Sequence, residues 1–249
     1  MSELVQFDEI PKSANMRMIA GWRQWADAGS VSSALPQYLI EATGARKIGE
    51  IRDDRFYLFQ IPGAHHLLRP IIELEDGYRQ QLEENKNEFY YAGDEENGLV
   101  IFVGDEPHLG VDSYAAAFFS AVKQLGVSLI AGLAGVYGPV PYDLDRQVSC
   151  IYSLPAMRDE LDDYAVSFSD YSGGASIGSL LVSKAEAEDV AYFIFYAFAP
   201  AYDFSESEMM TQGIRLENDY KAWYDIMRRL NHMLNLNIDL RDLEERSQE

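Results

Sequence analysis

Four glycine-bearing loops hold the side chains of this sequence that are best suited to bind a ligand or to move a proton. They are "GWRQWADAG" (21–29), "GDEPHLG" (104–110), "GLAGVYGPVPYD" (132–143) and "YSGGASIG" (171–178). Open parallel sheets bind ligands at the carboxyl ends of their strands, and each loop is expected to lie at that edge. The four loops together predict one candidate ligand cleft, in which the sequence assigns no catalytic residue.

The second loop carries the groups that suit acid–base chemistry. Asp105, Glu106 and His108 supply two carboxylates and an imidazole, which could exchange protons or bind a metal ion. Adjacent Asp and Glu side chains normally point apart, and Pro107 shapes a turn. A cap for the helix that begins near Asp112 is therefore a simpler role for this loop. Spacing alone specifies no reaction here.

The fourth loop is a candidate anion site. Gly173, Gly174 and Ser176 precede a predicted helix, whose first amide groups point outward and favour negative charge. The loop is not a P-loop, because no Gly-Lys-Ser/Thr follows it, and its glycine spacing differs from the dinucleotide-binding fingerprint. Close packing of a helix against a strand requires the same glycines, so both interpretations stay open.

The first loop combines two tryptophans with an aspartate and a glycine. We expect Asp27 to cap the helix that begins near Ser30, and Gly29 to let the backbone turn. Trp22 and Trp25 either line the cleft or fill the space above the sheet or at a subunit interface, where large aromatic side chains are common.

The third loop places two tyrosines beside two prolines. Pro139 and Pro141 fix an extended path, along which Tyr137 and Tyr142 could line the cleft. A rigid wall without ligand contacts is the alternative interpretation.

The segments behind these loops alternate between apolar strands and amphipathic helices. The clearest unit is "GLVIFVG" (98–104), "VDSYAAAFFSAVKQLG" (111–126) and "VSLIAGLAG" (127–135), which predicts a right-handed strand–helix–strand crossover. Such alternation indicates an α/β fold with a mostly parallel sheet that is covered on both faces.

The remaining segments are assigned by the same patterns. Residues 46–51, 55–59 and 69–77 are predicted strands, and residues 79–98 are predicted to form a polar insertion, excursion or hairpin on the surface. A helical stretch is predicted from about Ser205 to Leu236. We therefore divide the chain into a core domain of residues 1–204 and a helical C-terminal segment of residues 205–249.

Composition excludes several classes of protein. The formal net charge of −21, from 41 acids against 20 bases, disfavours nucleic acid and anionic lipid as partners. No apolar run is long enough for a membrane span, and the start of the chain lacks a signal-peptide pattern, so we expect a cytoplasmic protein. The single Cys150 and the adjacent pair His65 and His66, which would face opposite sides of a strand, predict no metal site.

In their order along the chain, these segments resemble the proteasome assembly chaperone two family. "GWRQWADAG" is similar to that family's Gly-Trp-x-Asp-Ala-Gly opening, with extra residues before Asp27, and "IFVGDEPHLG" is similar to its Gly-x-Glu-Pro loop. The resemblance continues through "RFYLFQIPG", "RPIIELEDG", "LAGVYGPVPYDLDRQV", "YSGGASIGSLL" and "LNHMLNLNIDLRDLEE", and so spans about residues 15–245.

This resemblance implies a three-layer α/β/α sandwich, similar to the nucleoside phosphorylase-like fold, with a helical C-terminal segment. It also implies a homo-oligomer with protein partners, and it brings no catalytic residues and no cofactor. We therefore expect a non-enzymatic protein-binding or assembly factor. The alternative is a small-ligand-binding protein or an enzyme that acts on a nucleoside-like or phosphate-bearing ligand in the cleft.

Overall fold

The computed structural model describes residues 4–52, 54–60, 69–202 and 214–248. The strands of these residues are β1 (Val5–Phe7), β2 (Asn15–Arg23), β3 (Arg46–Ile51), β4 (Ile71–Glu75), β5 (Tyr78–Glu83), β6 (Asn87–Gly93), β7 (Asn97–Asp105), β8 (Leu129–Gly138), β9 (Val148–Tyr152), β10 (Ser167–Phe168), β11 (Ala191–Tyr202) and β12 (Ile214–Arg215). The α-helices are α1 (Ala34–Thr43), α2 (Val111–Leu125), α3 (Arg158–Asp162), α4 (Ile177–Ala187), α5 (Tyr220–Met233) and α6 (Arg241–Arg246).

One large sheet runs in the order β1–β3–β6–β7–β2–β8–β11–β9–β10, with β12 beside β11. Its central strands β7, β2, β8 and β11 are mutually parallel. Strand β6 pairs antiparallel with β7, and both β9 and β12 pair antiparallel with β11. The α/β class is confirmed, but the sheet is mixed rather than mostly parallel. A short turn joins β6 to β7, and such a turn produces antiparallel neighbours.

Helices cover both faces of this sheet. Met18 and Trp22 of β2 belong to one hydrophobic cluster, which includes residues of α2 and α4. Ile19, which lies between them in sequence, belongs to a second cluster with residues of α1 and α5. Successive side chains of a strand point to opposite faces, so this alternation gives three layers.

The helices follow the apolar spacing of the sequence. In α2, Tyr114, Phe118 and Leu125 are buried on one side, and the helix ends at Gly126, whose φ of +67° is left-handed. In α5, Trp223 and Leu230 lie on the buried stripe. None of the helices in the described ranges is long and apolar enough to cross a membrane.

Several sequence predictions change at the edges of the sheet. Residues 54–56 form a 3-10 turn, where a strand over 55–59 was expected. The predicted surface excursion contains β6, whose Asn87, Phe89 and Tyr91 are buried at alternate positions. Helix α5 begins at Tyr220, later than expected, and β12 precedes it. The pair at 65–66 and the boundary at 204–205 lie outside the described residues.

Candidate functional site

Three of the four predicted cleft loops meet at the carboxylate of Glu106. One of its oxygens accepts a hydrogen bond from the backbone N–H of Ile177, at the start of α4, at 2.6 Å. The other oxygen accepts from the backbone N–H of Trp25, in the loop after β2, at 3.2 Å. Burial raises the pKa of Glu106, and the two amide contacts oppose that rise. Glu106 thus ties the loop after β7 to two neighbouring loops.

The amino terminus of α4 therefore already holds a carboxylate. The Ile177 amide, which the sequence offers to an external anion, is bonded to Glu106 instead. Ser176 caps the same turn, because its Oγ accepts from the backbone N–H of Ser179 at 3.2 Å. Gly173 and Gly174 lie exposed beside this turn. The chain itself supplies the negative group that this helix terminus favours.

One small cavity lies among these loops. A cavity of about 10 Å³ lies between Trp22, Glu106, Ser176 and Tyr196. One water molecule needs a cavity of roughly 10–15 Å³. This enclosed space is therefore too small for a nucleoside or a phosphate group.

Asp105 points away from Glu106 and is only 1% exposed. Its Oδ1 accepts a hydrogen bond from Nε of Arg23 at 2.6 Å, and its Oδ2 accepts from the backbone N–H of Lys86 at 2.8 Å. Arg23 also contacts Glu83 at 2.7 Å. Asp105 thereby fixes the base of the β4–β5 hairpin to the ends of β2 and β7.

His108 has no hydrogen bond to either carboxylate among the described contacts. Its Nδ1 accepts from the backbone N–H of Leu58 at 3.0 Å, and its ring lies edge-on to Tyr57. Its Nε2 is buried without a hydrogen-bond partner in the described part of the chain, and burial lowers the pKa of the imidazole. The three ionisable groups of this loop do not converge on one point. They also do not cap α2, which follows Gly110 without a side-chain cap.

Asp27 and Gly29 shape the turn before α1. Oδ1 of Asp27 accepts from the backbone N–H groups of Ser32 and Ser33, each at 2.9 Å. Burial raises the pKa of this carboxyl. Gly29 has a left-handed φ of +63°, and its carbonyl accepts from Nε1 of Trp223 at 2.8 Å. Asp27 therefore holds the turn that precedes α1, rather than capping a helix at Ser30 as expected, because α1 begins only at Ala34 and has no side-chain cap. Gly29 lies against α5.

Trp22 lies in the core rather than in an open cleft. Its Nε1 donates to Oη of Tyr114 at 2.7 Å. Tyr114 in turn donates to Oδ1 of Asn87 at 2.7 Å, and Nδ2 of Asn87 donates to Oη of Tyr57 at 2.6 Å. A continuous hydrogen-bond chain therefore runs beneath the carboxyl edge of the sheet. Of these four residues, only Trp22 was selected as a candidate from the sequence.

Several large side chains at this edge are exposed to solvent. Trp25, Tyr142 and Tyr171 are 70%, 71% and 72% exposed. Tyr137 is also exposed in the third loop, and Leu144 is exposed directly after it. These five side chains form what we call the aromatic rim. The predicted site residues thus separate into an exposed group on the rim and a buried group that holds the loops together.

A buried cation that the sequence analysis does not single out, Arg146, organises the third loop. Its Nε donates to Asp219 at 2.8 Å, and its backbone N–H donates to Asp225 at 2.6 Å. Its Nη1 donates to three carbonyl groups within residues 141–144. Both carboxylates belong to α5 or to its cap. The available signal was an arginine two residues before a buried strand, where an unpaired charge is costly.

A second, larger groove lies at the opposite, amino-terminal edge of β2 and β7. Its volume is about 470 Å³. Its lining includes the polar side chains of Asn15, Arg17 and Asn97 and the apolar side chains of Met233 and Ile238. No motif of the sequence pointed to this groove. Within the described ranges, no three His, Cys, Asp or Glu side chains are placed to hold a metal ion.

Comparison with known families shows to which family this chain belongs. The sequence profile of the PAC2 family matches residues 22–249. The chain belongs to the PAC2 family. This assignment agrees with the resemblance of its loops to the proteasome assembly chaperone two family. No curated protein matches the chain by sequence.

Solved structures share the fold of this PAC2 chain. A proteasome-assembly chaperone homologue of Mycobacterium tuberculosis is 20% identical, with a TM-score of 0.78, over 94% of this chain and 91% of that chain. A PAC2 family protein of Streptomyces avermitilis is 22% identical, with a TM-score of 0.76, over 94% and 92%. PbaB of Pyrococcus furiosus, described as an archaeal proteasome activator, is 20% identical, with a TM-score of 0.69, over 98% and 93%.

Proposed function

We propose that this PAC2 chain is a non-enzymatic protein-binding or assembly factor that acts in the cytoplasm as a homo-oligomer. One contrast at the carboxyl edge carries the proposal. The cavity beside Glu106 is about 10 Å³, whereas Trp25, Tyr142 and Tyr171 are largely exposed. Small-molecule sites are usually enclosed pockets of about 300–1,000 Å³. Exposed aromatic side chains, by contrast, are frequent anchors of protein interfaces.

The charge around the aromatic rim favours a basic partner surface. Asp143 and Asp170 are exposed directly beside Tyr142 and Tyr171. The chain as a whole has a net charge of −21, which attracts basic partners over a longer range. The names of the Mycobacterium tuberculosis and Pyrococcus furiosus relatives make proteasome subunits the first partners to test.

The test is native mass spectrometry of the chain purified gently from its own host. We expect the wild type to carry a protein partner that is lost from Trp25→Ala and from Tyr171→Ala. Tyr78→Ala is the matched control, because Tyr78 is also an exposed aromatic residue but lies on the β4–β5 hairpin. A partner that both rim variants retain would contradict the proposed rim contact.

The alternative function is that of a small-ligand binder, or of an enzyme acting on a nucleoside-like or phosphate-bearing ligand. The groove of about 470 Å³ beside Arg17 favours this candidate, because it has room for a ligand and offers one cation. The same spectra test it. A retained small molecule that Arg17→Ala loses and the rim variants keep would support the alternative over the protein-binding proposal.

Two structural expectations belong to this proposal as well. One is the likeness of the three-layer core to the nucleoside phosphorylase-like fold. The other is the division into a core of residues 1–204 and a C-terminal segment of residues 205–249. The packing of α5 into the second hydrophobic cluster supports a segment that folds against the core.

A further inference from the structure

The groove at the amino-terminal edge of β2 and β7 has a lining of two chemical kinds. Its apolar side chains are Leu99, Met233, Leu234, Leu236 and Ile238. Its one charged side chain among the described residues is that of Arg17. None of the described lining residues is acidic or aromatic, in a chain with 41 acids and 12% aromatic residues. The groove therefore combines an aliphatic surface with a single positive charge.

Arg17 differs from the other buried and half-buried arginine side chains in the described ranges. Arg23 and Arg146 each bind a carboxylate, and Arg229 donates to three backbone carbonyl groups. Arg17 is half-buried, and among the described contacts its side chain donates only to the hydroxyl group of Ser128. A guanidinium group stays charged and has five N–H donors. Arg17 is therefore a cation with donors left for an anion from outside the chain.

The two helices that end at this groove leave the charge of Arg17 free. Helix α1 ends at Thr43 and α5 ends at Met233, and the carbonyl groups of a helix end attract cations. Here the backbone N–H of Ala45 donates to the last turn of α1 at 3.0 Å, and that of Leu236 donates to the last turn of α5 at 3.1 Å. No described hydrogen bond joins Arg17 to either helix end.

The turn between β6 and β7 limits the negative charge that the groove can accept. Asp94, Glu95 and Glu96 are exposed in this turn, between the lining residues Gly93 and Asn97. These acids repel a phosphate group, which carries up to two charges, more than they repel a singly charged carboxylate. One guanidinium group also matches one carboxylate through two parallel hydrogen bonds. The surroundings of Arg17 therefore favour a monocarboxylate.

We propose that this groove binds an aliphatic monocarboxylate, whose acid group pairs with Arg17 and whose hydrocarbon body lies against Met233 and Ile238. The inference rests on the small-ligand alternative of the proposed function and names its ligand class. The described lining offers no aromatic ring on which a nucleobase could stack. The volume of about 470 Å³ lies in the usual range of about 300–1,000 Å³ for small-molecule sites. A ligand here leaves the aromatic rim, at the opposite edge, free for a protein partner.

Titration calorimetry of the full wild-type chain with octanoate tests the proposal. Octanamide has the same hydrocarbon body without the charge, and we expect it to bind at least about tenfold more weakly, because it cannot form the charge-assisted pair. From butanoate to octanoate, each added CH₂ should tighten binding by up to about fourfold. These comparisons need only the wild type, so they remain available if a variant does not fold.

Arg17→Gln and Arg79→Gln form a matched pair of variants. Each removes one positive charge, but Arg79 is exposed on β5, outside the groove. We expect Arg17→Gln to weaken octanoate binding by about tenfold or more and to change octanamide binding by less than about threefold. Arg79→Gln should change both by less than about threefold. Circular dichroism confirms folding, and octanoate should slow amide exchange at residues 233–238 in the wild type.

Three outcomes would contradict the proposal. They are an absence of saturable octanoate binding up to about 10 mM, equal affinities for octanoate and octanamide, and a folded Arg17→Gln that binds octanoate as Arg79→Gln does. Octyl phosphate that binds more tightly than octanoate would overturn the carboxylate class and keep the small-ligand alternative. Loss of a protein partner from the rim variants tests the protein-binding proposal separately, because those variants do not alter the groove.

Discussion

The backbone N–H of Ile177 donates to the carboxylate of Glu106 at 2.6 Å, so a side chain from the end of β7 sits at the amino terminus of α4. This contact decides how the carboxyl edge of the sheet can be used. A helix terminus of this kind commonly binds phosphate or another anion. Here an anion from within the chain is bound, and the surrounding loops close on it. The side chains that remain accessible to a partner at this edge are therefore those of the aromatic rim.

The Glu106 contact should be visible in the pH dependence of stability. Burial raises the pKa of Glu106 above its ordinary 4.5, so the folded chain holds this proton more tightly than the unfolded chain. That contribution to stability is complete below the unfolded pKa and is lost as the pH rises through the folded pKa. Glu106→Gln does not titrate. The unfolding free energy of the wild type minus that of Glu106→Gln should therefore fall as the pH rises.

Glu9 provides a control of opposite sign. A hydrogen bond from Arg46 lowers the pKa of Glu9, so its contribution is present above the unfolded pKa and is lost as the pH falls through the folded pKa. Because the Glu9–Arg46 pair is exposed, its contribution should be small as well as opposite in sign. Urea unfolding of wild type, Glu106→Gln and Glu9→Gln between about pH 3 and pH 7 measures both slopes. Equal slopes for the two variants would show that Glu106 does not titrate as described.

Two fully buried tyrosines should respond differently to loss of their hydroxyl groups. Tyr114 accepts from Trp22 and donates to Asn87, so Tyr114→Phe leaves two buried polar groups without this partner. We expect a loss of about 1–3 kcal/mol in unfolding free energy. The Tyr192 hydroxyl is buried without a hydrogen-bond partner among the described residues. Tyr192→Phe should therefore be neutral or stabilising, and comparable losses in both variants would contradict the hydrogen-bond chain.

Two glycines with the same backbone conformation allow the cost of left-handed strain to be measured separately from the cost of a steric clash. Gly29 and Gly44 both have φ of +63°. A Cβ at Gly29 would lie 2.6 Å from Cβ of Asp219, whereas a Cβ at Gly44 would meet nothing within 4 Å. We expect Gly44→Ala to lose about 1–2 kcal/mol of unfolding free energy from left-handed strain alone. Gly29→Ala should lose more, because α5 must also move, and thermal or urea unfolding gives the difference directly.

The buried pair of Arg146 and Asp219 should be important for stability. Arg146→Ala would leave Asp219 as an uncompensated buried charge and would free the carbonyl groups of residues 141–144. We expect a loss of about 3–5 kcal/mol in unfolding free energy. Arg46→Ala breaks an exposed pair with Glu9 and should leave the urea midpoint almost unchanged. A small effect of Arg146→Ala would mean that water replaces its partners.

Local patterns in the sequence determined the central strands, their covering helices and the α/β class. The continuous apolar run 98–104 predicts a strand that is buried on both faces. The apolar stripe of α2 predicts a helix that is buried on one side, so both elements can be recognised from apolar spacing alone. The turn held by Asp27 is equally local, since Asp27 lies within a few residues of the amides that it accepts from. Family membership was also readable, because it depends on the order of short motifs.

Only the tertiary structure decided what each candidate side chain does. Asp105 and Glu106 are neighbours in sequence, yet one anchors a hairpin and the other binds a helix terminus. Trp22 and Trp25 are three residues apart, yet one is buried and the other exposed. The mixed sheet and the buried Arg146 also escaped prediction. Each of these outcomes depends on partners distant in sequence, such as Ile177 for Glu106 and Asp219 for Arg146, and no local periodicity encodes such pairings.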